Sequence, residues 1–291
     1  MKTQQVVAPP RPLKTAKPLT AALNPQDADF LAHPHLTPAV DPLKGRLLRA
    51  SATIRAGTVV LRDTPYAIVP LPTQGSLICS NLACSRRVAV NCTRVVHCPR
   101  TCAEDVIWCG LTCRNADLKR HEFECQWLKT QGQVCRAQES QYDFVTLWHV
   151  VRLLAGWSLE LQKPNLSCKA NRDGRFKWNW ESVLMCCDYL DSWPEEQLQH
   201  WKRLAETYMM AKKLLPCPLN LEAMMSLICK EETNTFGLYP NVTGLMQGAQ
   251  ARGESYGLSL YPRAAQFNHS CRPNVSGRHA HRKGGSLLTG D

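Results

Sequence analysis

Apolar positions recur at helical spacing in two stretches of the chain. Phe144, Leu147, Trp148, Val151, Leu154 and Ala155 fall on one side of a helix, as do Leu198, Trp201, Leu204, Ala205 and Tyr208, because residues three and four apart lie one above another at 3.6 residues per turn. Ser192, Pro194, Glu195 and Glu196 supply a start for the second helix. Such stripes are packing surface, so both are expected to face a core. From Gly45 to Pro70 the period shortens: GRLLRASATIRAGTVVLRDTPYAIVP carries short β-rich runs with a turn at Ala56-Gly57 and predicts antiparallel strands in one small sheet. From Thr233 onward, short apolar runs separated by glycine, proline and asparagine predict strands and tight loops again. Residues 163–176 are polar and rich in turn formers, and predict a surface loop between the helices.

The opening segment lacks any such pattern. Pro9, Pro10, Pro12, Pro18, Pro25, Pro34 and Pro38 remove backbone donors along residues 1–40, which predicts a mobile tail without a long helix or strand. It contains no apolar stretch of signal-peptide length, and no segment approaches the roughly 20 apolar residues of a membrane span, so an intracellular protein without a membrane segment is expected. At 291 residues, with 44% hydrophobic and 20% charged positions, the chain is long enough to bury a substantial core. Lysine and arginine outnumber acidic residues 35 to 24, for a net charge of +11, which suits nucleic acid, anionic surfaces or acidic proteins. No long lysine-arginine run and no aromatic-rich basic motif singles out nucleic acid among these.

The 15 cysteines change the picture most. A chain this long has no need of a disulfide scaffold, so their spacing points to metal. Cys79 and Cys84, Cys98 and Cys102, Cys109 and Cys113, and His121 and Cys125 fall in pairs, and eight such ligands make two tetrahedral zinc sites. The spacing of His121 and Cys125 places both on one helical face. Closed four-ligand sites leave no open position for catalytic water, so the expected role is structural.

The segment WCGLTCRNADLKRHEFECQWLK, with Cys-x3-Cys, seven residues, then His-x3-Cys, resembles the second half of a MYND finger. The resemblance implies interleaved pairs, with Cys79, Cys84, Cys109 and Cys113 on one zinc and Cys98, Cys102, His121 and Cys125 on the other. It also implies binding of proline-containing peptides of partner proteins. The first half departs from the family, since four residues rather than two separate Cys79 from Cys84, and Cys92 stands as a rival ligand.

Three segments around the finger resemble the SET domain of the SET and MYND methyltransferases. KGRLLRASATIRAGTVVLRDTPYAIVP resembles the opening strands, where a glycine-rich turn approaches S-adenosylmethionine; glycine suits that turn because a missing Cβ lets the backbone come close. Gly45 matches, and Leu47 stands where the family has its next glycine. NTFGLY resembles a short cofactor-side strand. GLSLYPRAAQFNHSCRPNVS reproduces the family's Asn-His-Ser-Cys-x-Pro-Asn run at Asn268, His269, Ser270, Cys271, Pro273 and Asn274. The resemblance implies Lys44, Gly45, Arg46, Asn234, Asn268 and His269 as cofactor-binding residues and methyl transfer to a protein lysine as the activity.

The family's tyrosine beyond the Asn-His run has no counterpart, since no tyrosine follows Tyr261, and the post-SET cysteines are absent too. No catalytic residue is assigned, Cys271 is expected to be unliganded with two zinc ions in all, and the chain reads as C-terminally truncated. His279 and His281 lie in a basic run that reads as a solvated strand or tail. The expected architecture is α+β, with SET-like small β-sheets interrupted by a two-zinc finger and a helical insert. Its parts are a proline-rich tail (1–40), SET N-terminal strands (41–75), the finger (79–125), the insert (126–230) and an incomplete SET core (231–291). The functions in view are a lysine methyltransferase-like protein, weak or inactive as it stands, or a non-catalytic module that binds partners through the finger. The resemblance places either in the nucleus or the cytoplasm.

Overall fold

The computed structural model describes residues 32–42, 45–71, 76–89, 91–162, 179–210, 215, 219–240, 253–280 and 285–290. Its central element is the helix Gln141–Gln162, labelled α3 in chain order after α1 (Leu111–Trp127) and α2 (Gln133–Gln138). The expected stripe of α3 is fully buried, and burial extends round the helix from Asp143 to Ala155. The reason is that α3 is covered from several sides, by α1, by α6 (Leu221–Asn234) and by the strand Ala67–Pro70. The second stripe begins in α5 (Glu195–Leu204), which starts directly after Pro194. It continues through a π-helical turn at Ala205–Met210, where Ala205 and Tyr208 are buried. A short helix α4 (Trp180–Leu184) starts at Asn179, whose side chain accepts the Ser182 N–H at 3.0 Å.

Antiparallel pairing runs through five small sheets among the described residues. Strands β1 (Leu36–Asp41) and β2 (Gly45–Ala50) form a ribbon. β10 (Gly257–Leu260) lies between β4 (Ala67–Pro70) and β9 (Thr235–Leu238). β12 (Gly285–Gly290) lies between β3 (Val59–Asp63) and β11 (Val275–Ala280). Two short pairs, β5 (Ser76–Ile78) with β6 (Arg87–Ala89) and β7 (Val96–His97) with β8 (Ile107–Trp108), belong to the cysteine-rich segment.

Two expectations need correction. The runs between Gly45 and Pro70 do form strands, with the turn at Ala56-Gly57, but not one sheet: β2, β3 and β4 each enter a different one. Their partners come from residues 36–41 or from the last third of the chain, and local patterning carries no information about such distant pairing. The tail expected through residue 40 also gives way at β1, where Pro38 sits opposite Leu48; a two-stranded ribbon has only edges, and an edge tolerates a missing donor. Residues 1–31, the loop 163–176 and Lys44 lie outside the described residues.

Candidate metal centres

Short local devices set the four ligand pairs. Cys79 follows β5, and its N–H donates to the Arg86 carbonyl at 2.8 Å, closing the loop that holds Cys84. Within that loop the Asn81 carbonyl accepts the Cys84 and Ser85 N–H groups at 2.9 and 2.8 Å. Cys98 and Cys109 each follow one strand of the β7–β8 pair, so pairing of those strands sets both. Cys113 lies in the first turn of α1, and His121 and Cys125 lie further along the same helix.

These elements bring the eight residues into two groups, Cys79, Cys84, Cys109 and Cys113 in one and Cys98, Cys102, His121 and Cys125 in the other. In each, all ligand atoms lie within 4.8 Å of one another. In the first, Sγ of Cys109 is 3.7 Å from that of Cys84 and 3.4 Å from that of Cys113. In the second, Sγ of Cys98 is 3.7 Å from that of Cys125, and His121 Nε2 lies 3.2 and 3.6 Å from the sulfurs of Cys98 and Cys102. A tetrahedral zinc at ordinary bond lengths requires about 3.8 Å between sulfurs and about 3.6 Å between sulfur and nitrogen. The donor sets, one of four cysteines and one of three cysteines with a histidine, and their spacings therefore fit zinc. Cys92 is exposed and belongs to neither group, so the structure selects Cys84 over its rival.

The two groups differ in surroundings. The histidine-containing group is wholly buried, whereas in the all-cysteine group only Cys79 is. Burial pushes the thiols of Cys79 and Cys102 far up and that of Cys109 to about 11. At Cys98 burial also pushes up, but hydrogen bonds from His121 and from backbone N–H groups outweigh it and bring the thiol to about 7.

Behind His121 lies a set of charged side chains that no sequence pattern announced. His121 Nδ1 is 2.9 Å from Glu124 Oε1. Glu124 is fully buried, and its other oxygen accepts Trp148 Nε1 at 3.0 Å and Arg152 Nε at 2.8 Å. Arg120 reaches Glu124 at 3.1 Å and forks onto Asp117 at 2.6 and 2.7 Å. Asp117 also accepts Trp108 Nε1 at 2.8 Å. Burial works against ionised Glu124, but Arg120 and Arg152 override it and hold the carboxyl well below its usual range. The one legible signal was position: Glu124 stands three residues after one ligand and one before the next, on the ligand-bearing helix.

The residues considered for the cofactor are more dispersed. Arg46 Nη2 lies 3.9 Å from Cys187 Sγ, and Asn234 Nδ2 donates to the carbonyls of Cys187 and Lys230, each at 2.8 Å. Arg46 and Asn234 therefore meet at Cys187, with both amide hydrogens of Asn234 spent on main chain. β2 packs beside the 3-10 turn Ala264–Gln266, which runs on into exposed Asn268 and His269. His269 Nε2 lies 3.5 Å from Cys271 Sγ. Asp63, at the end of β3, fixes that turn: its carboxylate accepts the N–H groups of Arg263 and Ala264 at 3.1 and 2.9 Å and Arg263 Nε at 2.8 Å. Gly45 has φ +69°, and among the described residues no atom beyond its chain neighbours lies within 4 Å of where a Cβ would stand. Tyr261 is buried against Phe236, edge to face at 5.9 Å.

No family model matches the chain. It is 24% identical over 237 residues to the histone-lysine N-methyltransferase ASHR1 of Arabidopsis thaliana, covering 80% of this chain and 42% of that protein. It is 23% identical over 260 residues to a SET and MYND domain-containing protein of Dictyostelium discoideum (81% and 48%) and 21% identical over 247 residues to the N-lysine methyltransferase SMYD2-B of Danio rerio (83% and 48%). The similarity read from the finger and the Asn-His run thus recurs in relatives carrying those names. The chain spans about half the length of the curated relatives it matches. Among the described residues, no helix is long and apolar enough to cross a membrane.

Proposed function

We propose that the chain forms the zinc-bearing and cofactor-side part of an S-adenosylmethionine-dependent protein-lysine methyltransferase, with Cys79–Cys125 as a structural two-zinc finger of the MYND kind. The observation that carries this reading is the interleaving of the two ligand groups, one all cysteine and one with His121, in a chain similar over about 80% of its length to lysine methyltransferases. Further support comes from the edge formed by β2 and the turn before Asn268. The open space at Gly45 leaves room for backbone to approach a ligand. Arg46 offers charge-assisted donors, Asn268 and His269 are exposed polar groups, and Asn234 keeps an amide oxygen free of its two main-chain hydrogen bonds.

S-adenosylmethionine, when bound, supplies an activated methyl group on sulfur. The tasks left to protein are alignment and exclusion of water around a lysine amine that has lost its proton to solvent. The reading places the protein in the nucleus or cytoplasm, where thiols stay reduced and available to zinc.

Calorimetric titration of the zinc-loaded protein with S-adenosylmethionine tests the reading. Saturable binding, weakened by Asn268→Ala and by His269→Ala, is the expected result. A folded, zinc-loaded protein that takes up no cofactor would reject it and leave the finger as a protein-interaction module.

A further inference from the structure

The buried charges behind His121 do more than fill space, because they run from one candidate zinc site into the sheet that carries the cofactor-side strand. His121 presents Nε2 to the sulfurs of Cys98 and Cys102. A ligating Nε2 must be unprotonated, so the ring proton has to sit on Nδ1, and Glu124 Oε1 at 2.9 Å is the acceptor that holds it there. Glu124 is gripped by Arg152, with Nε 2.8 Å from Oε2 and Nη2 3.3 Å from Oε1. The Arg152 guanidinium lies over the Trp148 ring at 4.5 Å. Nη2 also donates to Ser80 Oγ at 3.3 Å, next to Cys79 in the finger, while Nη1 leaves the finger and donates to the carbonyl of Ile68.

Ile68 is in β4, an outer strand of the β4–β10–β9 sheet, opposite Ser259 of β10. β9 begins immediately after Asn234, and β10 leads into the turn before Asn268. Arg120, His121, Glu124 and Arg152 are all at most 4% exposed. The two arginines are balanced by Glu124 and Asp117. In so dry a place each partner is needed by the others, since removal of one strands a charge.

We infer that Glu124 and Arg152 are positioning residues that join the histidine-containing zinc site to the β4–β10–β9 sheet, so that loss of zinc from that site loosens the sheet. This rests on the zinc reading above. It makes the finger a structural condition for the cofactor side although no ligand cysteine belongs to that sheet.

The test uses the full chain loaded with zinc, and in parallel with cobalt as a spectroscopic probe. In Glu124→Gln, one of the two metals should be held about 10–100-fold more weakly in chelator competition, the usual effect of losing such a partner. The change in cobalt absorption should be confined to the band of the histidine-containing site, a signature that general destabilisation would not give. In the wild-type protein, stripping the metal should raise amide hydrogen exchange across Ala67–Pro70 and Gly257–Leu260. Arg152→Met should raise it with zinc present, and Arg152→Lys should fall between. If Arg152→Met does not fold, the wild-type exchange comparison decides.

Two zinc ions per chain, with unaltered affinity in Glu124→Gln and unaltered exchange after stripping, would overturn this inference and leave the zinc reading intact. A wild-type protein that holds no zinc would overturn both.

Discussion

Gly257 opens β10, the middle strand of its sheet, opposite Pro70 of β4 on one side and Leu238 of β9 on the other. A Cβ added there would overlap Ile78 Cδ1 and stand 2.8 Å from the Val69 carbonyl oxygen and 3.3 Å from Leu238 Cδ1. The Ile78 methyl ends a flexible side chain and can rotate away. The Val69 oxygen cannot, because it belongs to the paired strand, and ordinary contact at 3.4 Å or more requires the two strands to part by about 0.6 Å, the difference from 2.8 Å. Overpacking of this kind costs about 1–3 kcal/mol, while the stiffer unfolded chain returns about 0.4–1 kcal/mol. Gly257→Ala should therefore lose about 1–2 kcal/mol, or roughly 2–8 °C in melting temperature at about 2–4 °C per kcal/mol for a domain of this size. Scanning fluorimetry with zinc in excess measures it. A variant as stable as wild type, or one fully restored by Ile78→Val, would refute the argument that the carbonyl is the obstacle.

The other expectations concern the metal sites and α3. Cys84→Ser should lower bound zinc from two ions per chain to one by atomic emission, whereas Cys92→Ser should leave two, because Cys92 stands outside both groups; the opposite result would exchange their roles. Zinc binds thiolates in competition with protons, and the metal-free thiols run from about 7 at Cys98 through about 11 at Cys109 to higher still at Cys79 and Cys102. Zinc affinity should therefore rise with pH through that window and fall below it, and competition titrations at neutral and alkaline pH that agree with each other would contradict the assignment of thiolate ligands. Gly156→Ala should destabilise the protein although alanine favours helix by about 1 kcal/mol, because the new Cβ would lie 2.8 Å from the ring of buried Tyr66. Recovery in a Gly156→Ala, Tyr66→Leu double variant, followed by thermal unfolding, checks the cause.

What the sequence made legible was local. The stripes of α3 and α5 are set by i, i+3 and i+4 spacing, and the ligand pairs by separations short enough to lie within one turn or loop. Choosing between Cys84 and Cys92 needed three dimensions, since both lie within reach along the chain and only one faces Cys109. Strand partners were illegible for the same reason: β4 and β10 are far apart in sequence, and alternation tells which face a residue takes but not which strand lies beside it. Glu124 and Arg152 carried no signal in the sequence, because single charged residues on helices are usually solvated. Their burial follows from α3 being enclosed from several sides, which no window of its sequence reveals. Asp63 was missed likewise, as its partners Arg263 and Ala264 come from the opposite end of the chain.

The finger's dependence on the rest of the molecule follows from how its apolar residues are shared. Cys79, Val88, Val106, Ile107 and Trp108 belong to one continuous core with Leu147, Trp148 and Val151 of α3, and with Met224 and Ile228 of α6. A segment as short as Cys79–Cys125 cannot bury enough surface to fold on its own core, and zinc ordinarily makes up the deficit in such segments. Here a metal at these sites would act on the same side chains as the packing. Trp108 stacks edge to face on the candidate ligand His121 at 5.1 Å and hydrogen-bonds Asp117, so the wall of the core and the orientation of His121 are one arrangement. The helices of the insert complete the cysteine-rich segment as much as they complete the sheets, and a substitution in α3 that never touches a cysteine should therefore reach the candidate metal sites.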